Sequence, residues 1–167
     1  FSSIATLCRN YLEGYLAFFY LGVDDVNDQE WLCRLNVMQL HDCLSRHQMF
    51  TAFNPNDPQL PGFLQQAADL RLKLAVRPYF SSLPPKQQGR FLRGERAWLL
   101  SQDELLQRAE ISVGDFRGLY TYLSAQAHSF PLSFYRMAER DQGRGVENDA
   151  EKGSIAMILE FVASISE

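Results

Sequence analysis

Apolar residues recur along this chain at three- and four-residue intervals, and no segment alternates apolar and polar positions with β-branched enrichment. That pattern predicts helices throughout and no sheet. The most sharply bounded stretch is Ser112 to Pro131. Ser112 is an N-cap residue with Asp115 placed to reach back to it, and Phe130 before proline is driven out of the α region, so a helix is expected from Val113 to Ala127 or His128. Phe116, Leu119, Tyr120, Leu123 and Ala127 fall on one side as a core stripe. Arg117, Thr121, Ser124 and His128 follow at i, i+4, i+7 and i+11 on another, a cation, two hydroxyls and an imidazole in one narrow strip. Gly114, Gly118 and Ala125 lie beside it. A helical glycine costs about 1 kcal/mol against alanine, so close approach of a second helix is the reason expected for them.

The other elements come from the same periodicity. Ser2 or Ser3 caps a first helix whose Ile4, Leu7, Cys8, Tyr11, Leu12, Tyr15, Phe18 and Phe19 cover half the circumference, predicting deep burial up to a stop near Gly22. Arg9 and Glu13 pair one turn apart on its opposite face, as in an ordinary surface ion pair. Asn27 with Glu30 opens a long helix from Asp28 to Phe53, apolar nearly all round, in which Arg34, His41, Ser45 and Gln48 gather in one arc facing an internal cleft. Asn54 to Gly62, with three prolines, reads as a linker that no regular element crosses. Phe63, Ala67, Leu70 and Leu74 give a third helix broken before Pro78, and Ser81 to Gly89 a second irregular connection. Short helices are expected over Arg90 to Leu100 and from Ser101 to Ala109. A further short helix is expected around Phe134 to Glu139, then a loop over Asp141 to Gly145. Asn148 caps a last helix striped by Ile155, Ile158, Leu159, Val162 and Ile165.

The expected fold is therefore all-α: an antiparallel helical bundle of the first, second, Val113–Ala127 and last helices, with short capping helices between Gly62 and Ala109. A length of 167 residues suits a single domain over residues 1–167. Hydrophobic residues at 46% and charged residues at 22% place it among folded globular chains, and a formal charge of −4 argues against broad, charge-driven nucleic-acid binding. Cys8, Cys33 and Cys43 form no Cys-x-x-Cys pair, so they read as reduced core residues. With no uncharged apolar run of about 18 residues and no leader pattern, the chain is expected to be cytoplasmic and away from membranes.

Arg9-Asn10-Tyr11-Leu12-Glu13, then Arg34 and His41, then Tyr122-Leu123-Ser124 with His128 and Pro131, resembles a bacterial all-helical family catalogued only as a domain of unknown function. The plan is also similar to the HEPN superfamily of helical bundles, whose ribonuclease members carry an arginine, four residues and a histidine. This chain departs from that motif: counting back five residues from His128, His41 and His47 finds Leu123, Asn36 and Asp42. The second resemblance implies metal-independent RNA cleavage, which needs a base, an acid and a cation. His128 or Glu13 would be the base, His41 the acid, and Arg9 or Arg117 the cation.

The candidate catalytic residues are accordingly His128, Glu13, Arg9, Ser124 and His41, and the candidate ligand-binding residues Arg34, Arg117 and Thr121. Arg9, Glu13, Ser124 and His128 are expected to meet in space. No local His-x-x-x-His or Glu-x-x-His spacing supports a metal site, and no cofactor is expected. With no complete catalytic motif, the leading expectation is an interaction or regulatory module, showing an exposed apolar patch on the first or last helix and pairing with a second copy or another protein. A HEPN-like ribonuclease acting on RNA is the alternative, and a small-ligand or metal-dependent enzyme the second.

Overall fold

The computed structural model describes residues 2–127 and 148–166. All regular elements among them are helical: α1 (Ser2–Phe18) running into one π-helical turn (Phe19–Val23), α2 (Asp28–Phe53), α3 (Leu60–Ala75), α4 (Pro78–Ser82), α5 (Pro85–Leu92), α6 (Gln102–Arg108), α7 (Val113–Ala127) and α8 (Asp149–Ser166). The all-α expectation holds. The expected helix around Phe134, the loop at Asp141 to Gly145, and His128 with Pro131 lie outside the described residues. The chain divides into two compact units, one made of Asp24–Ser101 and the other of Phe1–Val23 with Gln102–Glu167.

In the Asp24–Ser101 unit, the Asn27 side chain accepts the Glu30 amide at 3.0 Å and starts α2 where the sequence places it. α3 returns antiparallel to α2. Phe50 and Phe63 meet near the connection with ring centroids 5.5 Å apart, the Cys43 thiol donates to the Phe63 carbonyl, and beyond the far end of α3 Arg77 Nε donates to Asn36 Oδ1 at 2.9 Å. Between the two helices Cys33, Val37, Leu40 and Cys43 bury against Ala67, Leu70 and Leu74, with Phe80, Phe91 and Leu99 closing the cluster. α4 and α5 pack on α2 as short covering helices.

The break expected before Pro78 is present, since α3 ends at Ala75, but three prolines also start helices where irregular connections were expected. Rather than ending order, Pro61, Pro78 and Pro85 sit in the first turns of α3, α4 and α5, where a missing N–H is no loss and a fixed φ helps nucleation. Hence α3 begins at Leu60, α4 starts at the proline expected to mark a break, and α5 occupies much of the supposed second connection. The helix expected over Arg90 to Leu100 is absent after Leu92. Gly94 has φ +71°, outside the right-handed helical region, and ends the run.

In the other unit, α1 packs with α7 and α8, and α6 joins α7. Ala5, Cys8, Leu12, Leu16 and Phe19 are buried, the last in the π turn, as are Phe116, Leu119 and Leu123 of α7 and Ile158 and Ile165 of α8. Asn148 Oδ1 caps α8 through the Glu151 amide at 2.7 Å. The expectation that α1 is deeply packed around half its circumference is corrected. Only the Ala5–Phe19 stripe faces inward, whereas Leu7 is 67% and Phe18 66% exposed and Tyr11 nearly half exposed. The three cysteines are buried and free, and burial pushes the Cys33 thiol up to about 11, which keeps it protonated and unreactive near neutrality.

Candidate functional site

The polar cluster that the fold assembles joins α1 to α7. Arg9 and Glu13, one turn apart, are placed by α1 geometry on the side facing Tyr120 of α7. Arg9 Nη2 lies 3.0 Å from Glu13 Oε1 and donates to Tyr120 Oη at 3.1 Å, with Nε at 3.3 Å from the same oxygen. The Tyr120 hydroxyl donates in turn to Glu13 Oε1 in a short hydrogen bond. The Arg9 guanidinium also stands over the Tyr120 ring, 5.3 Å from its centroid, and Phe116 stacks beside that ring at 5.8 Å. Cation, phenol and carboxylate thus form a closed triangle.

Burial, followed by the hydrogen bond to Glu13, pushes the Tyr120 phenol above its ordinary value of 10. The folded state therefore holds this proton more tightly than the unfolded chain. The associated stability is fully present below the ordinary phenol pKa and is lost as pH rises through the higher folded value. Alkaline absorbance titration should show a late-ionising component that Tyr120→Phe diminishes. The same substitution should cost about 1 kcal/mol in denaturant unfolding at neutral pH, the usual net worth of such a hydrogen bond.

Sequence reasoning misses Tyr120 as a site residue because helical periodicity assigns it to the core stripe, and periodicity locates a ring without saying where its hydroxyl points. The available signal is chemical: a buried tyrosine needs a partner for its O–H, and Arg9 and Glu13 are the polar groups expected on the facing helix.

The strip along α7 does not act as one surface. Arg117 and Thr121 are exposed, and Arg117 Nη2 lies 2.5 Å from Asp103 Oδ2 of α6 in a largely solvated ion pair. Ser124 turns inward, its buried hydroxyl having no hydrogen-bond partner among the described residues. His128 lies outside the described residues, so of the four groups expected to meet, Arg9 and Glu13 are the ones brought together. The reason expected for the α7 glycines is corrected. Gly114 and Gly118 are exposed; a Cβ at Gly118 would meet nothing within 4 Å, and one at Gly114 only its own Ser112 hydroxyl at 4.0 Å. Neither admits a neighbouring helix among the described residues, while Ala125 is buried.

Arg34 and His41 belong to the Asp24–Ser101 unit, and the polar arc expected on α2 does not face one cleft. Arg34 is fully buried. Its guanidinium lies 2.5 Å from Glu30 Oε1 and 2.6 Å from Asp24 Oδ2, one cation between two carboxylates at the start of α2. His41, two turns on, is half-buried and has Nδ1 2.7 Å from the Gly94 carbonyl, which places the Nδ1 proton in that bond and leaves Nε2 as the acceptor nitrogen in the neutral ring. Ser45 and Gln48 are exposed. The segment over Asp24 to Asn27 folds onto Arg34 and turns the arc into a clamp, an event that helical spacing within α2 does not encode.

Among the described residues no group of three or more histidine, cysteine, aspartate or glutamate side chains is placed to hold a metal ion, and no helix is long and apolar enough to cross a membrane. No family model, curated protein or solved structure matches the chain.

Proposed function

We propose that this chain is a helical interaction or regulatory module of the cytoplasm that works by presenting an apolar helix face to another protein surface. The observation that carries this reading is the outer side of α1, where Leu7 and Phe18 are two-thirds exposed at positions that a polar residue would fill without loss to the core. The Arg9–Tyr120–Glu13 triangle supports it by fixing α1 against α7, so that the outer face is displayed on a held element. In that role the triangle is a latch. Its three groups satisfy one another, an arrangement suited to register and not to receiving a proton from substrate.

The competing reading, a HEPN-like metal-independent ribonuclease, draws on the same Arg9 and Glu13 with His128 as base. Incubation of the whole chain with labelled single-stranded RNA in chelator separates the two. The module reading expects RNA to remain intact. Cleavage by the wild type that disappears in both Arg9→Ala and His128→Ala would replace it with the nuclease. Activity that appears only on adding a divalent metal would favour a metal-dependent enzyme instead.

A further inference from the structure

Charge is unevenly placed along this chain. Between Asp69 and Asp103 lie seven basic residues and one acid, Glu95, although the formal charge of the whole is −4. Four of the seven come together around α5, within the Asp24–Ser101 unit. Lys86 and Arg90 stand one turn apart on α5, both exposed, and the exposed Arg93 follows directly after its last residue. Arg71 of α3 reaches the same end, its Nε donating to the Leu92 carbonyl at 2.9 Å.

This face already holds a carboxylate. Arg90 Nε lies 3.3 Å from Glu95 Oε2 and Arg93 Nε 2.6 Å from Glu95 Oε1, so two cations share one acid, an oxygen each. Gly89 weakens α5 as a helix, and the arrangement supplies a reason for it. A Cβ there would lie 3.2 Å from Arg93 Nη1, so the missing side chain gives the guanidinium room to lie against α5 beside Arg90. The helix macrodipole accounts for Arg90 and Arg93 at the negative end of α5. It does not account for Lys86, which sits in the first turn, where a cation is disfavoured and no acid accompanies it.

We infer that the Lys86–Arg90–Arg93 face of α5 binds an acidic segment of a protein partner, with Glu95 standing in the place of one of that segment's carboxylates. Each arginine turns Nε to Glu95, so an incoming carboxylate would accept from the Nη donors, and a second from Lys86 a turn away. The face is short. From Lys86 to Arg93 the helical rise is about 10 Å, which about three extended residues span, so a few consecutive aspartates or glutamates fill it. A nucleic-acid strand would run beyond it onto a unit that carries seven further acids between Asp24 and Asp69, in a chain of negative net charge, so a phosphate backbone is the poorer match. This surface uses residues of the Asp24–Ser101 unit and does not depend on the reading given to the outer side of α1.

Fluorescence anisotropy of the whole chain with labelled hexaglutamate, and with a labelled hexanucleotide RNA for comparison, tests the assignment. At about 50 mM salt hexaglutamate should bind with a dissociation constant below about 100 μM. Lys86→Gln with Arg90→Gln and Arg93→Gln should weaken that binding at least about tenfold. A variant of opposite sign guards against loss by misfolding: Glu95→Gln removes the internal competitor and should tighten binding at least about threefold. Asp57→Asn, the same change of charge in the connection between α2 and α3, should leave it unchanged. A wild-type dissociation constant above about 100 μM overturns the proposal, as do equal effects of Glu95→Gln and Asp57→Asn. Tighter binding of the RNA than of the peptide would also overturn it and give the face to phosphate. Peptide binding reports on α5 and RNA integrity on the module reading, so either can fail without the other.

Discussion

Arg34→Ala is expected to lower the stability of the chain by about 3–5 kcal/mol, the cost of stranding buried charges by removing one partner. In the folded chain this guanidinium has no solvent exposure and pairs with two carboxylates, Asp24 at 2.6 Å and Glu30 at 2.5 Å. Those carboxylates are themselves nearly buried, each 11% exposed at the side chain. Deleting the cation takes away the counter-charge that both share in a poorly solvated site, and also removes the volume over which Asp24 folds. The triple variant Asp24→Asn, Glu30→Gln and Arg34→Met should recover most of the loss, because it removes the charges together and keeps much of the volume. Urea unfolding of the three proteins is the measurement. A single variant within about 1 kcal/mol of wild type would mean that the clamp contributes little and that the start of α2 is held by the Asn27 cap alone.

Gly94→Ala should be comparably damaging, at about 2–5 kcal/mol, from two additive causes. Its φ of +71° is one that a residue with a Cβ adopts at a cost of about 1–2 kcal/mol. The new Cβ would also sit 2.6 Å from Leu44 Cδ1, closer than packed carbons come, and relieving that overlap in a filled core costs a further 1–3 kcal/mol or so. Because the Gly94 carbonyl is the partner of His41 Nδ1, displacement of this turn should also free that ring. The His41 ring resonances should then move in the NMR spectrum of Gly94→Ala relative to wild type. The two causes separate with Leu44→Ala as background: there the overlap is gone, and only the backbone part of the Gly94→Ala penalty should remain.

The helices and their starts are readable because both depend on neighbours in sequence. Asn27 and Asn148 cap where their side chains can be seen to do so, and Val113 opens α7 as the Ser112–Asp115 pair requires, with the Asp115 amide 3.3 Å from Ser112 Oγ. Whatever depends on a second element escapes. Pro61, Pro78 and Pro85 are equally consistent with stopping a helix and with starting one, and the difference lies in the residues after each proline and the surface they pack on. Arg34 looks like a cleft residue because its arc on α2 is visible in the spacing and the approach of Asp24 is not. Leu7, Tyr11 and Phe18 read as core because an apolar arc on a helix has no mark dividing the part facing α7 and α8 from the part facing outward. For Arg9 and Glu13 the pairing is legible, and the phenol that joins them is hidden among the core residues of α7.

The π-helical turn at Phe19–Val23 has a consequence for how chain length can vary in this protein. A π turn carries one more residue than the α turn it replaces, and here it lets the consecutive large side chains Phe19 and Tyr20 both turn inward. Loss of a single residue from this segment would be absorbed by converting the turn to α geometry, which keeps the residues beyond it in phase at the expense of turning Phe19 or Tyr20 away from the core. Asp24 in the Arg34 clamp and Asn27 at the cap then keep their places at the start of α2. The end of α1 is thus a splice point, where one residue can be added or dropped with the frame of α2 unchanged. A deletion of the same size inside Ala5 to Leu16 would instead carry Leu12 out of the core and Leu7 or Tyr11 into it.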